Sequence, residues 1–237
     1  MKINWRRNLL ISWIGCFFTG ASFSLVMPFL PVYIEQLGTA KSQVDLFSGL
    51  AISVTAFSAA IVAPLWGSLA DRKGRRLMMI RAAAGMTFTM GSLAFVPNVY
   101  WLLIMRFMTG VLSGYMPNAT ALIASQVPRQ KSGWALGTLA TGGVAGNLIG
   151  PLIGGMLAQW FGLRNVFIIT GVILMICTFL TIFMVKENFQ PIEKEDVISM
   201  AELRKRINYM PILIGLFISS LILQVGVTSI CLLYTSD

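Results

Sequence analysis

Long apolar stretches separated by short polar links run through the chain from one end to the other. Seven of them reach the roughly 20 residues that a helix needs to cross the hydrocarbon core of a bilayer. They are Leu9–Ile34, Leu46–Ala70, Leu77–Val96, Tyr100–Ser125, Trp134–Trp160, Val166–Val185 and Pro211–Leu233. The pattern predicts an α-helix for each, because a backbone in lipid must satisfy its own N–H and C=O groups. The first stretch is too long for the apolar core of a signal peptide and lacks a clear small-residue cleavage site, so it is expected to remain as a span.

The polar links alternate in charge. Lys2, Arg6 and Arg7 precede the first span. Arg72, Lys73, Arg75 and Arg76 lie between the second and third, with Arg81 just inside the third. Arg129 and Lys131 follow the fourth, and Lys186, Lys194, Arg204, Lys205 and Arg206 follow the sixth. The links between hold Glu35, Lys41 and Asp45, then the neutral Pro97-Asn98 turn, then Arg164 alone. Basic links stay on the cytoplasmic side of a membrane, so the N-terminus is expected there and the seventh span is expected to run outward. The link from Lys186 to Asn208 is the one long polar connection, and it mixes acids with its bases. The predicted organisation is therefore a six-helix transmembrane bundle over residues 1–185, a cytoplasmic linker over 186–210, and over 211–237 the first helix of a second, incomplete bundle. The fold class is all-α membrane protein.

Composition narrows the chemistry. Charged residues make up 11% of the chain and apolar ones 56%, against roughly 25% charged in a soluble domain. The net charge of +9 sits in short clusters and not on a solvated face, which argues for a lipid bilayer and against nucleic acid. There is no His, which removes imidazole acid–base and metal chemistry. Cys16, Cys177 and Cys231 are far apart within apolar runs and read as buried hydrophobes. Neither a metal site nor a cofactor is expected, and with hardly any intramembrane acid an enzyme is disfavoured. A channel would show a filter or a ring of charges, and neither is visible.

Three sets of residues stand out. The first is the turn Gly67-Ser68-Leu69-Ala70-Asp71-Arg72-Lys73-Gly74-Arg75-Arg76. Gly67 would permit close helix approach and Gly74 a positive φ. Asp71 would be held by a neighbouring helix N-terminus or an Arg, forming a latch that breaks when that side opens; a plain positive-inside loop is the alternative. The second is Arg106, Gly110, Gly114 and Asn118, one residue in four along the fourth span, hence a single stripe if the helix is continuous. A charge at mid-helix needs a partner or a wet cavity, unless it snorkels to an interface. The third is Gly142, Gly146, Gly150 and Gly154, again one in four, with Pro151 and Gly155 beside them, as in a backbone-to-backbone contact. The prolines of Met27-Pro28-Phe29-Leu30-Pro31 are expected to disturb the end of the first span.

These residues resemble the major facilitator superfamily. Gly67–Arg76 looks like its signature loop between helices 2 and 3. Arg106 followed by Gly110 is similar to its helix-4 motif, and Gly146–Gly155 to the antiporter motif of its drug:proton members. The Met27–Pro31 segment resembles a helix-1 element of the drug-efflux branch, and the likeness runs to about residue 230 of the chain. It implies a two-bundle transporter, proton-coupled export of apolar or cationic drugs by alternating access, a bacterial plasma membrane location, and no cofactor. Arg106, with Gly110 and Gly114, would belong to the proton-coupling network. The glycine helix would pack across the interface between the two bundles, meeting a helix beyond the seventh. Phe17, Phe18, Phe23, Met116 and Asn118 are candidates for the substrate cavity. A sugar or metabolite exporter of the same superfamily is the second reading.

Two features depart from the family. The sequence stops after one helix of the second bundle, and the tail Cys231–Asp237 does not resemble the family's continuation. A truncated fragment that does not transport by itself is expected. No Asp or Glu lies inside a span, so the proton acceptor is expected either in a missing half or at Asp71 and Glu35. The topology predicts that tags inserted after Ser42 and after Lys131 are labelled from opposite faces of intact cells. Labelling from one common face would contradict the layout.

Overall fold

The computed structural model describes residues 4–189, together with Gly215. The expected span Pro211–Leu233 and almost all of the 186–210 linker lie outside the described residues. The chain divides into two units, Met1–Pro191 and Ile192–Asp237. All the elements below belong to the first. They are α1 Trp5–Gln36, α2 Lys41–Lys73, α3 Arg75–Leu93, α4 Val99–Leu112, α5 Tyr115–Gln126, α6 Ser132–Phe161 and α7 Leu163–Met184, with one 3-10 turn at Arg129–Lys131. There is no strand among the described residues.

The helices start and stop where local chemistry directs. Asn4 and Asn98 each accept a hydrogen bond from the backbone N–H three residues on, Arg7 and Trp101, and so cap α1 and α4. Gly38, Gly74 and Gly162 take positive φ between successive spans. Segments Trp5–Gln36, Lys41–Lys73, Val99–Gln126, Arg129–Phe161 and Leu163–Met184 are long and apolar enough to cross a membrane. The third span, α3, is shorter at 19 residues and packs against α7, α5 and α4.

Surface and interior are arranged for lipid. Leu46, Phe57, Leu65, Leu148, Leu152, Trp160 and Phe183 are exposed, while Asn8, Ser12, Thr89 and Arg106 are buried. In water an apolar surface of this extent would drive aggregation. Five buried threonines find partners one turn back: Thr19, Thr55, Thr170, Thr178 and Thr181 each donate to the carbonyl four residues earlier at 2.8 Å. Two apolar clusters fill the bundle. One, around Leu30, Tyr33, Ile34 and Phe167, lies at the end where α1 meets α2. The other, around Leu9, Met79, Tyr115 and Leu122, lies at the basic end.

Three expectations are corrected. The disturbance expected at the prolines does not interrupt α1, which runs through Pro28 and Pro31 to Gln36. Leu30, Tyr33 and Ile34, each at most 2% exposed, anchor this last stretch in the core, and the Tyr33 hydroxyl donates to the Leu93 carbonyl. The fourth span is not one helix: it is interrupted at Ser113-Gly114. Gly114 has φ +115°, and the ring of Pro117 would clash with the Ser113 carbonyl in a continuous helix. The stripe from Arg106 to Asn118 is therefore split between α4 and α5.

The third correction concerns the glycines of α6. Gly142, Gly146, Gly150 and Gly154 face α1 of the same bundle. A Cβ at Gly142 would stand 2.8 Å from the Trp13 carbonyl oxygen, one at Gly150 2.6 Å from that of Ala21, and one at Gly154 2.5 Å from Leu25 Cγ. On α1 itself, Gly20 sits against the Gly143 carbonyl. Small residues bring the two backbones together here because dispersion, not water expulsion, holds helices in lipid. Gly110 plays the same part between α4 and α2, where a side chain would strike Ser58 and Thr55. Gly67, by contrast, meets nothing within 4 Å among the described residues.

Gly146→Ala should destabilise the bundle by about 1–3 kcal/mol, because its Cβ meets backbone that cannot turn aside. Gly137→Ala, on the same helix in open space, should stabilise it by about 0.5–1 kcal/mol through helix propensity. Thermal unfolding of the two variants in detergent measures both. Equal effects would show that the α1–α6 approach is loose.

Candidate functional site

At the basic end the polypeptide leaving α7 is tied to three other helices. Glu187 spans the N-terminus of α3: its Oε1 accepts from the Arg75 N–H at 3.0 Å and its Oε2 from the Arg76 N–H at 2.7 Å. These donors have no partner within their own helix, and a carboxylate complements the positive helix end. Gly74 leaves the room, since a Cβ there would stand 2.8 Å from Glu187 Oε2. The Arg76 guanidinium donates to the Ile182 carbonyl and that of Arg7 to the Met184 carbonyl. The Asn8 side chain donates to the Lys186 carbonyl at 2.6 Å and to Gln126 Oε1, and accepts from the Lys186 N–H. The N-terminus and the three basic ends of this bundle thus lie together at one face.

Asp71 is not at a helix N-terminus. It pairs with Arg75 one turn on, and both it and Arg72 are exposed. Of the six residues expected to form a latch, Gly74, Arg75 and Arg76 join the Glu187 clasp and Asp71 joins it only through Arg75. Glu187, which holds them, carries no motif of its own in the sequence. It was visible only as the first acid after the sixth span.

The break in the fourth span is stabilised by side chains from other helices. The Trp66 indole N–H donates to the Val111 carbonyl at 2.7 Å, and Arg81 Nη2 donates to the Ser113 carbonyl at 2.7 Å. The Arg81 guanidinium lies 3.7 Å above the Trp66 ring, a cation–π contact. Gly110 O accepts from the Ser113 hydroxyl and Gly114 O from the Asn118 amide. The sequence carried one signal for this, Gly114 three residues ahead of Pro117, while nothing local pointed to Arg81 or Trp66 as its partners.

Beside the break lies a cavity of about 460 Å³. Phe23, Trp66, Met86, Tyr115 and Met116 give it an apolar lining, and Thr19, Asn118 and Asn147 add polar groups. Arg75 is its one charged lining residue, and no carboxylate lines it among the described residues. Of the cavity candidates, Phe23, Met116 and Asn118 are brought together here. Phe17 is not: it stacks on Trp13 and meets Phe18 edge-on.

Arg106 is 5% exposed and does not snorkel. It lines a second, very small cavity with residues of α1 and α2. Its Nε and Nη2 are buried without a hydrogen-bond partner.

A bundle of apolar-faced spans with a cavity and a buried charge near it has the form of a multi-pass membrane protein. The chain belongs to the major facilitator superfamily, which it matches over residues 12–236. It is 56% identical, over 96% of its length, to the multi-drug resistance efflux pump PmrA homolog of Lactococcus lactis, and covers 56% of that protein. It is 55% identical over 97% of its length to the multi-drug resistance efflux pump PmrA of Streptococcus pneumoniae, covering 57% of it. With the multidrug resistance protein MdtG of Escherichia coli it shares 51% over 98% of its length, covering 57%. The chain therefore spans a little over half the length of these curated relatives, which are transporters and not enzymes. Its fold is also that of the human organic anion transporter MFSD10 (TETRAN), with a TM-score of 0.63 at 19% identity, over 76% of this chain and 48% of the other.

Glu187→Ala should cost about 0.5–2 kcal/mol, the range for losing an N-terminal cap. It should also speed hydrogen exchange at the Arg75 and Arg76 amides while leaving that at Leu122 unchanged. Unaltered exchange at both arginines would mean that the clasp does not persist in the membrane.

Proposed function

We propose that the chain is the N-terminal part of a proton-coupled exporter of apolar or cationic small molecules, sited in a bacterial plasma membrane with its N-terminus in the cytoplasm. The cavity of about 460 Å³ carries this reading. Aromatic and Met side chains with a few amides offer adaptable contacts to varied apolar molecules. The names of the relatives, efflux pumps across nearly the whole of this chain, support the same reading. Residues 186–210 would form the central linker and 211–237 the first helix of the second bundle.

Two bundles would rock about the cavity to expose it alternately to each side. Asp71 and Arg72 are exposed at the basic end, and in this reading they would meet the second bundle when that end closes. The glycines of α6 would serve transport by locking α6 to α1, so that both move as one body. Substrate cations would find no carboxylate in this part of the cavity, which favours apolar recognition here over charge pairing. Arg106 would couple the proton step, as a charge deep in a span whose Nε and Nη2 have no partner among the described residues.

In vesicles holding the full-length transporter of which this chain is a part, Arg106→Ala should cut drug-driven proton flux by about a hundredfold, the scale of losing a proton-handling group. Drug binding should persist. Unchanged flux would remove Arg106 from the mechanism.

A further inference from the structure

The cavity beside the helix break and the small space at Arg106 share one lining residue, Phe23 of α1. The small space has a volume of about 10 Å³, close to the least that holds one water molecule. Its remaining walls are apolar except for Thr55 and Arg106 itself. The single Thr55 hydroxyl hydrogen lies between the Ala51 carbonyl at 2.8 Å and the Arg106 carbonyl at 3.1 Å, and Thr55 Oγ1 makes no bond to the Arg106 Nε or Nη2. No carboxylate lines the space among the described residues.

Arg106 is therefore a buried guanidinium with Nε and Nη2 unmatched by protein groups. A charge so placed demands hydration or an anion. The space beside it admits little more than one water, while room for many lies across Phe23 in the larger cavity. Phe23 is 40% exposed, so its ring is not locked by packing on every side. The α1–α6 seam is built on Gly20 and on the Ala21 and Leu25 positions, and Phe23 is not among the groups that the α6 glycines meet.

We propose that Phe23 is a movable partition between the substrate cavity and Arg106, and that a molecule occupying the cavity displaces the ring and opens Arg106 to water. Phe23 would then be a positioning residue, acting through Arg106. Occupancy of the cavity and hydration of the charge would be linked by one side chain. This rests on the transport reading above, in which the larger cavity is the substrate site and Arg106 handles the proton step.

The test reads water access, not transport. The whole chain, with Cys16, Cys177 and Cys231 replaced by Ser and with Arg106→Cys, is placed in lipid nanodiscs. The rate of modification of position 106 by a charged, water-soluble thiosulfonate is measured. Phe23→Ala should raise that rate about tenfold and Phe23→Leu should leave it low, as expected for a shift in the open population. Modification of Thr170→Cys, in the core away from the cavity, should stay the same in all variants. Tetraphenylphosphonium added to the chain that keeps Phe23 should also raise the rate at position 106. Equal rates with Phe23 and with Phe23→Ala would overturn the partition, and so would a parallel rise at Thr170→Cys. No response to tetraphenylphosphonium would overturn its control by occupancy. If Phe23→Ala loses its cooperative melt, Phe23→Val takes its place with the same outcomes. Proton flux in Arg106→Ala tests the transport reading separately, so the failure of either is distinguishable.

Discussion

Inside a bilayer there is no water to complete an unfinished backbone hydrogen bond, and each backbone group must be answered from within the protein. This constraint explains where the bundle departs from plain helices. The interruption at Ser113-Gly114 frees carbonyls in mid-span, and Trp66 and Arg81 arrive from α2 and α3 to take those of Val111 and Ser113. The start of α3 leaves two amide donors open, and Glu187 arrives from beyond α7. Buried threonines turn their hydroxyls back onto their own helices. Each irregularity is tolerated where another helix can reach it.

A second requirement follows, because the groups that answer one another lie far apart in sequence and the helices must come close to deliver them. Gly110 lets α2 close on α4, and the Ser58 and Thr55 hydroxyls there donate to the Phe107 and Arg106 carbonyls. The α6 glycines let α1 close on α6 and place Asn147 and Phe23 at the same cavity. The cavity is thus a by-product of two tight seams and one broken helix. Its walls are apolar because the spans are, and its few amides mark where those elements converge.

Much of the architecture was legible. Six of the expected spans are present within a few residues, since a run of apolar side chains long enough to cross lipid has few other uses. Gly74 takes the positive φ expected of it, and Arg106 is buried as a mid-helix charge with its own space. The site was legible only in part. The stripe from Arg106 to Asn118 assumed an unbroken helix, and the warning in Gly114 and Pro117 was outweighed by hydropathy, which is blind to a kink. Phe17 was grouped with Phe23 by residue type, but the two point to different neighbours.

What the chain's order of residues determined alone is its partition between lipid and water, the alternation of its basic links, and its membership of a transporter family. Those properties depend on each residue's own solvation and on local spacing. The tertiary structure alone decided which groups meet: Glu187 with the α3 amides, Arg81 with the Ser113 carbonyl, and the α6 glycines with α1. A glycine stripe specifies that something will come near, and a lone acid that some donor will be found. The partner's identity follows from helix packing, because the contacting residues lie on separate helices and only their crossing brings them within reach.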